Sequence, residues 1–193
     1  MKRYSVLVLI LLILSACYAL AYPVRVEAAY KGKVIDADTG KPLEGVVVVI
    51  EWDTVTPSPG GAVHTFYDAR ETVTDKKGNF SIPGKFFGFL LGEYITIFKA
   101  GYAMNGEAYQ HGYKFYIVNT FGWNTLKTLS GVKLKGGKPI IPLEKITMEE
   151  RKKLRFDAPI CPLTGKECKE KLPFLIKEIN KDRKEVTGLG PIY

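Results

Sequence analysis

The residues able to do covalent, acid–base or metal chemistry in this chain are three cysteines, two histidines and a set of dispersed carboxylates. Cys161 and Cys168 flank the six residues Pro162 to Glu167. In an oxidising compartment that spacing reads most simply as a local disulfide closing a turn, and so small a ring contributes about 2.5 kcal/mol on the loop-entropy model. Free thiols and a metal site are the alternatives. A metal site would need further ligands, and the histidines, His64 and His111, are distant in sequence. Nucleophilic catalysis needs a base placed beside its nucleophile, yet His64 follows Ala62-Val63 and His111 follows Gln110 with no recognisable motif. Both read as surface histidines. Asp36, Asp38 and Asp75 sit among turn residues, where short carboxylates bond to nearby backbone N–H groups, and no calcium-loop spacing surrounds them. The expectation is therefore a chain that is not an enzyme and carries no metal or cofactor.

Cys17 has a different setting. Lys2 and Arg3 are followed by an apolar run from Val6 to Leu14 and then by Ser15-Ala16-Cys17, the layout of an export signal. Leu14 to Cys17 resembles the lipobox of bacterial lipoproteins, which implies a signal over 1–16, acylation of Cys17 and a tether over 17–27. Ala19-Leu20-Ala21 offers a competing cleavage that would release a chain beginning at Tyr22, and a retained anchor is the third reading. All three imply export. Tyr18 after the cysteine, by resemblance to lipoproteins of bacteria with two membranes, implies the outer membrane. The net charge of +8, or +6 without Lys2 and Arg3, is largely interleaved with acids. It argues against a nucleic-acid partner and leaves some attraction to anionic envelope surfaces.

The elements that must position these residues are mostly strands. Val46, Val48, Ile50 and Trp52 share one face at period two, and Val47 and Val49 make the opposite face apolar as well, which predicts a strand covered on both sides. Thr56 to Gly61 reads as a long loop, because proline lacks a donor and glycine favours turns. Asp75 to Asn79 predicts a hairpin turn with Gly78 at positive φ. Val132 to Leu143, broken at Gly136-Gly137, predicts a last edge hairpin whose prolines and lysines suit an edge. Thr147 and Glu150 form a capping-box pattern opening a short helix. Leu172, Leu175, Ile176 and Ile179 fall on one face of a second helix, with Pro173 in its first turn.

Three blocks resemble the carboxypeptidase regulatory-like domain: Gly32 to Val46 with its Thr39-Gly40-Lys41-Pro42 turn, Thr72 to Phe80, and Gly92 to Tyr102. The resemblance covers most of Lys31 to Tyr102. It implies an Ig-like or transthyretin-like β-sandwich of about seven strands over 28–146, followed by a helical extension over 147–193. The family's peptidase members carry their metal ligands on a separate catalytic domain, so the resemblance implies an accessory, non-catalytic module. Two segments depart from the family: Phe86 to Leu91, which reads as a loop or extra hairpin capping one end of the sandwich or as an exposed apolar patch that meets a partner or the bilayer, and Ala103 to Thr128. In the latter, Tyr109, Tyr116 and Trp123 could stack on sugar rings, although burial in a core is the competing reading. The sequence thus predicts an exported, lipid-anchored interaction or structural module with an envelope protein partner. A glycan-binding module is the alternative, and a small hydrolase a more distant one.

Overall fold

The computed structural model describes residues 25–26, 29–84, 86–87, 91–104, 109–110, 113–114, 132–153, 170–188 and 190–191. It is mainly β, with two principal sheets and two short helices. The strands are β1 (Arg25–Val26), β2 (Tyr30–Asp36), β3 (Val47–Ser58), β4 (Gly61–Val73), β5 (Asn79–Ile82), β6 (Phe86–Phe87) and β7 (Leu91–Phe98). They are followed by β8 (Tyr102–Met104), β9 (Tyr109–Gln110), β10 (Tyr113–Lys114), β11 (Lys133–Lys135) and β12 (Lys138–Lys145). The helices are α1 (Met148–Lys153) and α2 (Pro173–Thr187).

One sheet has the order β11-β12-β2-β5, with β8 also pairing to β12; the other has the order β4-β3-β7. Their inner faces meet in a single apolar cluster. Val48, Ile50 and Trp52 from β3 and Ile95 and Ile97 from β7 pack against Val34, Phe80, Ile82, Ile141 and Leu143 of the facing sheet. Full burial of such side chains contributes about 1.5–3 kcal/mol each. The arrangement is sandwich-like, with β1–β6 and β9–β10 as separate two-residue ladders.

A second cluster lies on the outer face of the three-stranded sheet. Val47, Val49, Ala69 and Phe98 are covered there by Leu172, Leu175, Ile176 and Ile179 of the α2 region. This third layer explains the unbroken apolar run of β3: one side chain in two meets the opposite sheet, and the others meet the helix.

Three sequence expectations change. Thr56 to Gly61 is not a long loop, because β3 runs to Ser58 and β4 resumes at Gly61 across a two-residue turn. Pro57 is accommodated there because β7 pairs with β3 only as far as Thr54, and no other described strand pairs with the outer part of β3 on that side. The Asp75 to Asn79 turn has the expected geometry, with Gly78 at φ 73°. The strands it joins lie in opposite sheets, however, since β5 pairs with β2 and β4 with β3. Lastly, β11 and β12 do form a hairpin over Gly136-Gly137, but β12 is an interior strand that also pairs in parallel with β2. Pro142 falls between the stretch paired to β11, which ends at Ile140, and the stretch paired to β8, which begins at Leu143. Pro139 precedes the ladder to β2, which starts at Ile140.

Candidate functional site

Of the acids that sequence reasoning placed in turns, Asp36 and Asp75 engage their turns through the side chain, and Asp38 through its backbone N–H. Asp36 closes β2, and its Oδ1 accepts the Asp38 and Thr39 N–H groups at 3.1 and 2.8 Å and the Thr39 hydroxyl at 2.9 Å. Its Oδ2 accepts the Tyr102 hydroxyl at 3.2 Å, which ties this turn to the start of β8. The Thr39 N–H and hydroxyl hold the Asp36 carboxyl below its ordinary value. Burial and the adjoining Asp36 push the Tyr102 hydroxyl up. Asp75 Oδ1 accepts the N–H groups of Lys77 and Asn79, each at 2.8 Å, and the Asn79 N–H is the main cause of its lowered pKa. Carboxylates held by converging N–H donors are stabilised as anions. They serve as joints of the fold.

A second set of acids fastens α2 to the sheets. Residue Leu172 at the N-cap makes no side-chain cap, so the first N–H groups of the helix need another acceptor. Glu71 of β4 supplies it, its two carboxylate oxygens accepting from Phe174 at 2.6 Å and Leu175 at 2.9 Å. Burial pushes the Glu71 carboxyl up, opposed by these two donors. Further along the helix, Glu178 accepts the Ala100 N–H at 3.0 Å and Asp182 accepts the Gly101 N–H at 3.1 Å. Asp182 also pairs with Arg151 of α1, a buried contact to which Glu185 adds a second carboxylate at 3.0 Å. Burial raises the Asp182 carboxyl above its ordinary value, while Arg151 opposes that shift. Gly188 ends the helix at φ 67°, its N–H returning to the Lys184 carbonyl.

Glu51 is the outlying titratable group. It lies on the outer face of β3, opposite Ala69 of β4, and burial followed by the nearby Asp53 carboxylate pushes it up to about 7. A carboxyl poised there could exchange a proton near neutrality. Among the described residues, no group of three or more His, Cys, Asp or Glu converges as metal ligands would. No helix among them is long and apolar enough to cross a membrane.

The residues singled out from sequence are distributed as follows. Cys17, Cys161, Cys168, His111, Tyr116 and Trp123 lie outside the described residues. Tyr109 lies in β9, where Lys114 of β10 is its partner across the ladder. His64 lies in β4 opposite Val55. Glu71, Glu178, Asp182 and Arg151 had no signal in the sequence, because each acts across a long separation. Glu51 had a weak one: a charged residue continuing an otherwise apolar outer face. No protein-family model, curated protein or solved structure matches this chain.

Proposed function

We propose that this chain is a non-catalytic module of a cell envelope, exported and held to a membrane through an acylated Cys17, whose β-rich body presents a rigid surface to a partner. The observation that carries this reading is the use made of its polar side chains. Asp36, Asp75, Glu71, Glu178 and Asp182 each accept backbone N–H groups that fix a turn or dock the helix. Acids engaged in this way fix shape, which is what a scaffold presenting a surface requires of them. The carboxypeptidase regulatory-like resemblance supports the same reading, since its three blocks fall on β2, the end of β4, β5 and β7, and β2, β5 and β7 line one core.

Fractionation of the expressing cell tests the reading. The chain is expected with the membrane, released by detergent together with a stoichiometric envelope protein, and moved to the soluble fraction by Cys17→Ala. A wild-type chain recovered soluble, monodisperse and alone would count against it.

A further inference from the structure

The two principal sheets differ in what their outer faces meet. The three-stranded sheet is covered by α2. On the five-stranded sheet, the outward positions of β2 are Lys31, Lys33 and Ile35, alternating with the buried Tyr30, Gly32, Val34 and Asp36. In β12 the outward series is Lys138, Ile140, Pro142 and Glu144, alternating with Pro139, Ile141 and Leu143. Register brings the lysines together. Ile140 is flanked by Lys133 of β11 on one side and Lys33 of β2 on the other. Lys138 faces Lys135 of β11, and the same parallel register continued by two residues sets Lys138 abreast of Lys31.

Five ammonium groups therefore share one face, with neighbouring strands about 4.8 Å apart and successive outward residues about 6.7 Å apart. Like charges side by side on a sheet are destabilising. Guarding an edge would account for lysines on β11, but β2 is an interior strand with β12 and β5 on either side, so Lys31 and Lys33 guard nothing. Glu144 is the one acid among the described outward positions of these strands, and it lies at the far end of β12. On α2, by contrast, Lys177, Lys181 and Lys184 are interleaved with Glu178, Asp182 and Glu185.

The position of this basic end agrees with the N-terminal sequence. Because β2 and β12 are parallel, their first residues lie at the same end of the sheet. The chain that follows the apolar run Val6 to Leu14 enters the sheet there, at Tyr30. From Cys17 to Arg25, where β1 pairs with β6, the chain can reach at most about 29 Å when extended. A body tethered on so short a lead meets the bilayer at high effective concentration, so individually weak lysine contacts suffice. Partly buried Ile35, Ile140 and Pro142 continue the face between the lysines and suit a headgroup layer with acyl chains beneath it better than a fully hydrated polyanion.

We infer that the outer face of the five-stranded sheet, through Lys31, Lys33, Lys133, Lys135 and Lys138, docks on the anionic headgroup surface of the membrane that holds the chain's N-terminus. The inference rests on the tether proposed above, and its test separates the two. The purified full chain is mixed with phosphatidylcholine vesicles, with or without about three parts in ten of phosphatidylglycerol. Its amines are then acylated briefly and the modified lysines located by mass spectrometry. Pelleting with the neutral vesicles reads the tether; the change in footprint between the two compositions reads the face.

Anionic vesicles are expected to reduce labelling of the five lysines several-fold. Lys41, Lys76 and Lys77, at the opposite end of the sheet, should be unchanged, and molar salt should abolish the difference. The Lys31→Gln, Lys33→Gln, Lys138→Gln variant should pellet with neutral vesicles as wild type does, yet lose the protection at Lys133 and Lys135. An identical wild-type footprint on the two vesicle types overturns the inference whether or not the chain pellets. So does protection by soluble polyphosphate without protection by anionic vesicles, which would assign the face to an anionic polymer.

Discussion

The Glu71 carboxylate receives the N–H groups of Phe174 and Leu175, so an edge strand caps a helix that begins about a hundred residues later. The helix lacks a cap of its own, and this contact fixes where its first turn sits on the sheet. Glu71→Ala should therefore cost about 1–2 kcal/mol, the range for loss of an N-terminal cap. Lys171→Ala, which breaks the more exposed pair with Asp68, should cost about 0–1 kcal/mol. Denaturant midpoints of the two variants check this, and equal midpoints would mean that Glu71 is not the cap.

That contact also marks the limit of what the sequence could disclose. The period-two run from Val46 to Trp52 was legible because strand burial alternates, and its second apolar face was legible because Val47 and Val49 had to be covered. The Thr147–Glu150 capping box was legible because both partners lie within one turn, and it forms as expected. The sheet assignment of β5 was not legible. The Asp75 turn specifies local geometry, while pairing to β2 is decided by where Phe80 and Ile82 find a core. The lysine face required the parallel register between β2 and β12, which joins segments about a hundred residues apart. Cys17, Cys161, Cys168, Tyr116 and Trp123 remain sequence-based expectations, since they lie outside the described residues.

Gly78 tests the turn beneath the core. At φ 73° a side chain is strained, and a Cβ there would lie 2.3 Å from the Val34 carbonyl oxygen. Gly40 has a similar φ of 67° but open space around it. Gly78→Ala should accordingly cost about 3 kcal/mol or more, against about 1 kcal/mol for Gly40→Ala. Thermal melts of both variants provide the comparison, and a Gly78→Ala chain as stable as Gly40→Ala would contradict the described packing.

Arg151 and Asp182 form a buried pair, their side chains 7% and 3% exposed. Removing one partner leaves a buried charge uncompensated, so Arg151→Met should cost about 3–5 kcal/mol. Glu185, 43% exposed, should contribute about 0–1 kcal/mol when replaced by Ala. Hydrogen exchange over residues 173–187 gives an independent reading: Arg151→Met should speed exchange throughout α2, and unchanged protection would show that the pair does not hold the helix.

Glu51 gives the chain a pH dependence of definite sign. Its folded pKa, near 7, lies above the ordinary value of 4.5, so the folded state binds the proton more tightly than the unfolded state. Stability from this group is fully present below about pH 4.5, declines as pH rises through the window to about 7, and is flat above it. Glu51→Gln removes the titration and should be stabilising by up to about 3 kcal/mol at pH 8, with little effect at pH 4.5. Urea unfolding of both chains at the two pH values checks the sign; a Glu51→Gln chain less stable at pH 8 would contradict the burial assigned to this carboxyl.

The proposal of a membrane-tethered module depends most on the chemistry at Cys17. Intact-mass and N-terminal peptide spectrometry of the protein extracted from its native membrane reads that chemistry directly. The mature chain is expected to begin at Cys17 and to be heavier than its sequence by the mass of the attached acyl groups. A mature chain beginning at Tyr22, or one that retains residues 1–16 without modification, would contradict it.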